Sequence, residues 1–176
     1  VDASFSDEAQ AQLQGAVDLA VAASGSTGAI VGVWAPWAGT WLKGVGTVAP
    51  EGKDTSTSNT FKAGAVTRAM TCDVLYGLVE QGTVALSDSV TKYVPGLPDH
   101  EAVTLGQLCD STSGFGTYSD RLNGRFMANP TRTWSPRELV AYGTGSSAAA
   151  QPGAAFADSD TGYVLLGLAL EHAGRK

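Results

Sequence analysis

The chain has 176 residues, of which 43% are hydrophobic and 16% charged, so it is long enough for one folded domain with a core. Its net charge of −6 argues against a general nucleic-acid binder, because its 11 Lys and Arg residues are scattered and form no basic face. No apolar run approaches the roughly 18 residues that a membrane-spanning helix requires. These totals predict a single domain over 1–176 that neither binds nucleic acid nor spans a membrane.

The two cysteines, Cys72 and Cys109, form no CxxC motif and no Cys/His metal-binding spacing. We therefore predict neither a metal site nor a cofactor. The cysteines are either buried small side chains or partners in a disulfide, which requires Cα atoms within about 7 Å. A start at Val1, many small residues and few lysines are typical of a mature exported protein, although a cytoplasmic location stays open.

Residues 1–60 are predicted to form an N-terminal helix and a β-hairpin. Ser6 can cap a helix that continues to Gly25, since apolar residues recur on one face of it. Two β-rich runs follow, 29–34 and 40–45, and the Pro- and Gly-containing segment between them is typical of a hairpin loop. The tryptophans of these runs are expected to pack rather than to form a stacking platform.

Residues 61–176 are predicted to be mainly helical, and the longest helix follows Phe61 and stops at Gly82. Its apolar residues form one wide stripe, so we predict that most of this helix is buried. The stripe consists of Val66, Ala69, Met70, Val74 and Leu78, widened by Cys72, Leu75 and Val79.

A literal Ser-x-x-Lys occurs further on, at Ser89 and Lys92. In a nucleophile motif of this kind a sustained helix fixes the serine, whereas Pro95 breaks any helix here within one turn. We therefore predict that Ser89 is a cap or turn residue and no nucleophile.

The remaining elements alternate between helix and loop. They are a short capped helix within 103–114, a loop along a cleft at 115–129, a helix capped by Ser135 with Pro136 at its first position, a small-residue loop at 143–151, and an apolar helix at 164–170 that ends at Gly174.

Four ordered segments resemble the class C β-lactamase and DD-peptidase family, which includes many esterases. They are Phe61–Thr71, similar to Phe-x-x-Gly-Ser-x-x-Lys-x-Phe-Thr; Leu78–Pro95; Leu105–Gly114, similar to Leu-x-x-Leu-Leu-x-His-Thr-Ser-Gly; and Phe156–Glu171, similar to Phe-x-Tyr-Ser-Asn-x-x-Tyr-x-Leu-Leu-Gly. In this family the serine at the helix N-terminus is the nucleophile and the lysine lies one turn further on the same face. The resemblance implies an α+β fold of the β-lactamase/transpeptidase type.

The chain departs from this family where the family keeps its chemistry. Ala65 stands at the serine, Arg68 at the lysine, Asp158 at the tyrosine and Asp160 at the asparagine. Alanine cannot form an acyl intermediate, and arginine, with a pKa above about 12, cannot accept the proton that a desolvated lysine accepts. The comparison implies that serine acyl transfer is absent.

The resemblance also implies an incomplete fold, with an N-terminal helix, a hairpin and a helical subdomain. The family continues with further helices, three strands, a Lys/His-x-Gly motif and a closing helix, which this sequence lacks. A hairpin without its neighbouring strands leaves an exposed edge. We expect a second polypeptide or another copy of the chain to supply the missing sheet.

Three functional interpretations stay open. The first is a pseudoenzyme kept for binding or assembly, in which Arg68 pairs with Asp158 and Asp160 and a small molecule can occupy the cleft. The second is a non-serine enzyme in which Asp158 or Asp160 acts as acid or base and Arg68 orients an anionic or carbonyl group. The third is a shortened or altered form of an active hydrolase. Independently of these, the aspartates can cap the last helix.

Overall fold

The computed structural model describes residues 4–97, 100–145 and 150–175. By its internal contacts the chain divides into two compact units, Val1–Lys62 and Ala63–Lys176. The first is a helix with a hairpin, and the second is mainly helical. None of the helices in the described ranges has the length and apolarity to cross a membrane.

The first unit consists of helix α1 (Asp7–Ser24) and strands β1 (Gly28–Ala35) and β2 (Gly39–Gly46). Ser6 caps α1 by accepting a hydrogen bond from the amide of Ala9, and Gly25 ends it in the left-handed conformation. The strands pair antiparallel, with Val33 opposite Trp41. The predicted helix and hairpin are both confirmed.

The two strand tryptophans have different environments. Trp41 is buried and, with Val31 and Val33, faces α1 across an apolar groove of about 430 Å³. Trp34 is on the other face of the hairpin and stays exposed, with its ring lying where a side chain on Gly32 would stand. The packing prediction is therefore right for Trp41 and wrong for Trp34.

The second unit is built around helix α6. Its helices are α2 (Val66–Glu80), α3 (Leu105–Cys109), α4 (Ser119–Ala128), α5 (Pro136–Thr144) and α6 (Asp160–Gly174), with a short 3₁₀ turn at Val90–Lys92. Helix α6 packs against α2, α3 and α5. It contributes Leu165, Leu166, Ala169, Leu170 and Ala173 to the core. Its apolar sequence thus makes it the centre of this unit.

The prediction that most of α2 is buried is wrong. Only Leu75 is fully buried, while Val66, Met70 and Val74 are each more than half exposed. The side that packs on the core carries Cys72, Leu75 and Val79, on the opposite side of the helix from Val66. A helix with apolar residues on several sides does not indicate which side its neighbours occupy.

The predicted loop at 115–129 is also wrong over most of its length, because α4 begins at Ser119. Leu122 of α4 is fully buried, and Phe126 makes edge-to-face contacts with Tyr118 and Trp134. Polar residues and a glycine weaken the helical pattern, and tertiary packing of these two apolar side chains outweighs that weakness.

Helix α5 begins as predicted, with Ser135 as its cap and Pro136 at its first position. It continues to Thr144, so the predicted loop at 143–151 begins too early. Residues 146–149 of that loop lie outside the described residues.

The two cysteines form a disulfide. Cys72 on α2 and Cys109 at the end of α3 have Cα atoms 5.6 Å apart, within the range that a disulfide needs. The bond closes a sequence separation of 37 residues and joins two helices that both contact α6.

The literal Ser-x-x-Lys at Ser89 is a turn, as predicted. Ser89 caps the 3₁₀ turn by accepting a hydrogen bond from the Thr91 amide, and Lys92 pairs with Asp88 at 3.0 Å. The Asp88 carboxylate also accepts hydrogen bonds from the Tyr93 hydroxyl at 2.6 Å and from the Ala85 amide at 2.9 Å. Its role is to hold this turn together.

The contacts of Asp88 predict a stability contribution that depends on pH. Chiefly the hydrogen bond from Tyr93, and then those from Ala85 and Lys92, lower the pKa of Asp88 from 3.8 to about 2. The stabilisation is therefore fully present above pH 3.8 and is lost as the pH falls through about 2. We expect Asp88→Asn to lower the free energy of unfolding by about 1–2 kcal/mol at pH 7, and by much less near pH 2.

Urea unfolding across this pH range measures the effect. Tyr93→Phe removes the main hydrogen-bond donor to Asp88. It should likewise reduce the loss of unfolding free energy that occurs as the pH falls towards 2. A loss in Asp88→Asn that is equal at every pH would show that the carboxylate charge plays no part.

Candidate functional site

The N-terminus of α2 has the geometry of a nucleophile segment without a nucleophile. Gly64 has a positive φ of 56° and Ala65 occupies the position before the helix. Ala65 offers only a methyl group there, so no side chain caps the helix. The start of the helix thus presents amide groups and a methyl group, and Arg68 is the third residue of the helix.

Arg68 is held by both aspartates, as the motif comparison predicts. Its Nη1 donates to Asp158 Oδ1, and its Nη2 donates to Asp160 Oδ1 at 2.5 Å. The side chain of Arg68 is 27% exposed, whereas that of Asp158 is 60% exposed. The hydrogen bond to Asp160, together with the other contacts to both carboxylates, raises the pKa of Arg68 against the opposing effect of burial. Arg68 is therefore a permanent cation with both ends of its guanidinium occupied.

Asp160 is tied into the site from two sides. Its Oδ2 accepts hydrogen bonds from Thr117 at 3.2 Å and Ser119 at 3.1 Å, while its Oδ1 faces Arg68. Burial opposes ionisation of Asp160, but the hydrogen bonds and the charge of Arg68 outweigh burial and lower its pKa. Asp160 is thus an ionised acceptor with a weakened affinity for protons.

Ser159, and neither aspartate, caps the last helix. Its Oγ accepts a hydrogen bond from the Gly162 amide at 3.1 Å and donates to the Gly116 carbonyl at 3.0 Å. Asp160 is the first residue of α6, where its charge interacts favourably with the helix dipole. Neither aspartate side chain is used as the helix cap, and both pair with Arg68.

Two tyrosines complete the site and were missed by the sequence reasoning. The Arg68 guanidinium carbon lies 5.3 Å from the centre of the Tyr163 ring, a cation–π distance. The Tyr118 side chain lies nearby, and burial, aided by the charge of Asp160, raises its pKa. Tyr163 follows Asp160 by three residues on the same helix face, which is a signal that the sequence did contain.

Arg68, Asp160 and the two tyrosines border a pocket of about 460 Å³. It is lined by Gly64, Ala65, Thr67, Arg68, Thr71, Tyr118, Asp160, Tyr163 and Val164. The ion-pair group beside it has one positive and two negative charges, which leaves a net charge of −1. Among the described residues that line this pocket, no hydroxyl is paired with a free base as an activated nucleophile would be.

Comparison with known proteins identifies the family of this chain. The Beta-lactamase family model matches residues 13–175, nearly the whole sequence. The chain belongs to the beta-lactamase family. Its fold is accordingly α+β and of the β-lactamase/transpeptidase type.

Several members of this fold are similar over most of the chain. A D-stereospecific amidohydrolase from Streptomyces sp. is 26% identical over 89% of the chain, with a TM-score of 0.76. A D-amino acid amidase from Ochrobactrum anthropi SV3, solved with D-phenylalanine, is 25% identical over 93% of the chain, with a TM-score of 0.77. Penicillin-binding protein 4* of Bacillus subtilis is 28% identical over 70% of the chain.

This chain represents only part of that fold. It spans 27% of the length of the Bacillus subtilis relative, 47% of the amidohydrolase and 45% of the amidase. It corresponds to the N-terminal part of the beta-lactamase fold, so the predicted incompleteness relative to this family is confirmed.

Proposed function

We propose that this beta-lactamase family member binds a ligand in the pocket at Arg68 and performs no serine chemistry. The observation that carries this proposal is that Ala65 leaves the helix N-terminus without a nucleophile while Arg68 is fixed between two carboxylates. A permanent cation in this position cannot act as the base of an acyl transfer. The pocket is still present, and its residues can bind a ligand without reacting with it.

The geometry favours this reading over a non-serine enzyme. An acid or base works best when its pKa lies near the operating pH, whereas the pKa of Asp160 is lowered. Ser119 and Thr117 donate to this carboxylate, but a weakened base does little to activate their hydroxyls. Arg68 is also already occupied and has less capacity to orient an anionic group.

The ligand class follows from the charge and the lining. The net charge of −1 and the exposed Asp158 favour a ligand with a positive group, and the rings of Tyr118 and Tyr163 favour an aromatic or apolar part. Amino acid amides combine these features, and proteins named for D-amino acid amides are among the structural neighbours. We propose a small ligand with a free ammonium group next to an amide.

D-Phenylalanine amide is the probe that tests this proposal, in an NMR or calorimetric titration. We expect saturable binding, and Asp158→Asn should weaken it by about tenfold through loss of one charge-assisted contact. Asp73→Asn, an exposed residue of α2, changes the net charge equally and should leave binding unaltered. Equal affinity for the N-acetylated compound, or an equal loss in both variants, would contradict the proposed ammonium site.

We also propose that further strands complete the β-hairpin, supplied by a second polypeptide, by another copy or by a continuation of this chain. Supporting this are the two-stranded sheet of the described residues, the exposed Trp34, and the share of the neighbours' length that the chain spans. A well-folded, concentration-independent monomer in light scattering would contradict supply by another chain.

An extracytoplasmic location belongs to the same proposal. It is supported by the disulfide between Cys72 and Cys109, since such bonds persist in oxidising compartments. A chain recovered from its natural source with both thiols free would contradict it.

A further inference from the structure

The first two turns of α2 are weakly attached to the rest of the second unit. Ala65 provides no side-chain cap, and no acidic residue occupies the first turn. Val66 and Met70 are exposed, and the first fully buried side chain of the helix is Leu75. Uncapped turns without buried side chains open easily, so the position of Arg68 depends on a few specific attachments.

In the part of the chain that the structure describes, two attachments hold these turns. One is Arg68 itself, through Asp158, Asp160 and the Tyr163 ring. The other is the disulfide from Cys72, which follows Arg68 by four residues and lies on the same helix face. The disulfide is thus the covalent attachment one turn from the cation of the site.

Tyr163, which contacts Arg68, also contacts the Cys109 end of the disulfide. The Tyr163 hydroxyl donates to the Cys109 carbonyl at 2.7 Å and lies 3.3 Å from the Ser111 hydroxyl. Helix α3, which ends at Cys109, is fixed by the fully buried Leu105 and Leu108. Arg68, Tyr163, Cys109 and Cys72 therefore form a ring of contacts that returns to Arg68 along α2. The buried helix α3 holds the Cys109 side of this ring in place.

We propose that the disulfide between Cys72 and Cys109 restrains the N-terminal turns of α2 and so keeps Arg68 in contact with Asp158 and Asp160. Reduction of the disulfide would release this restraint. A dithiol supplies the two electrons and two protons that break the S–S bond, giving two cysteine thiols and the cyclic disulfide of the reductant. Among the described residues, the N-terminal turns of α2 are then held by the contacts of Arg68 and by the packing of the Cys72 side chain on the core, without a covalent bond. They open more often, and the cation leaves the carboxylates while the α6 core stays folded.

The guanidinium signals of Arg68 in NMR at neutral pH provide the test. In the oxidised protein we expect restricted rotation of this group, because both of its Nη atoms are bound. Treatment with dithiothreitol should speed its rotation by about tenfold or more, as bidentate charge-assisted contacts are lost. Arg132 is a matched internal reference, because it pairs with Glu138 and its guanidinium carbon lies 3.8 Å from the centre of the Trp134 ring. Its signals should not change.

A double variant, Cys72→Ala with Cys109→Ala, separates the bond from the reagent. It should show the mobile Arg68 signals both with and without dithiothreitol. Unchanged Arg68 signals on reduction would overturn the proposal, as would equal loosening of Arg68 and Arg132. Unfolding of the whole reduced chain at neutral pH would also overturn it, since the bond would then hold the entire unit. None of these outcomes depends on whether a ligand binds the pocket.

Discussion

A fluorescent penicillin or fluorophosphonate should leave this chain unlabelled, and restoring the serine alone by Ala65→Ser should add almost no label. Loss of an activated serine typically costs on the order of 10⁶ in turnover, or roughly 8 kcal/mol of transition-state stabilisation. Arg68 then adds a second obstacle, because it cannot take the proton of the new hydroxyl. In-gel fluorescence and intact-protein mass spectrometry measure the result.

The double change Ala65→Ser with Arg68→Lys should help only slightly. A lysine beside Asp158 and Asp160 is kept protonated by two carboxylates, and only a neutral lysine can act as a base. An active serine penicillin-binding protein is the positive control for the reagents. A stoichiometric adduct on the unaltered chain would contradict the proposed loss of serine chemistry.

The second large effect is expected at Gly143, where α5 approaches α6. A Cβ atom at Gly143 would lie 1.9 Å from Thr161 Oγ1. Thr161 is fully buried, β-branched and bound to the Tyr118 amide at 3.1 Å, so it cannot rotate away. We expect Gly143→Ala to lower the free energy of unfolding by about 2–3 kcal/mol, because overpacking outweighs the gain in helix propensity.

Gly167→Ala is the matched control. Gly167 lies inside α6, is exposed, and has no atom within 4 Å of the position that a Cβ would take. This variant should gain about 0.5–1 kcal/mol from helix propensity alone. Denaturant unfolding of both variants tests the contrast, and equal changes would show that the approach of α5 to α6 costs nothing.

Some residues of the site were predictable because ordered motifs fix their positions. Phe61–Thr71 and Phe156–Glu171 match the family in spacing, so Arg68, Asp158 and Asp160 could be assigned to one site before any coordinates. Thr117, Ser119 and Tyr118 could not, because they belong to a segment without a periodic pattern. Thr117 and Ser119 bind Asp160, and Tyr118 lines the pocket, at the start of α4, whose Leu122 and Phe126 pack in the tertiary structure.

Burial was less predictable than local structure. The caps at Ser6 and Ser135 each act over three residues, and their hydrogen bonds follow from the local sequence. The exposed side of α2 depends on where α3 and α6 lie, and the two sides of that helix are about equally apolar in sequence. The pairing of the two cysteines likewise depends on the distance between α2 and α3.

By itself the sequence determined the family, the main helices and the hairpin, and the replacement of the family's serine and lysine by Ala65 and Arg68. These properties depend on residue identity and short spacings. Only the tertiary structure decided that Arg68 contacts the two aspartates through different Nη atoms, that Tyr163 lies against it, and that a disulfide joins α2 to the end of α3. Those contacts join residues up to 95 positions apart, from Arg68 to Tyr163, and their distances are set by how the helices pack around α6.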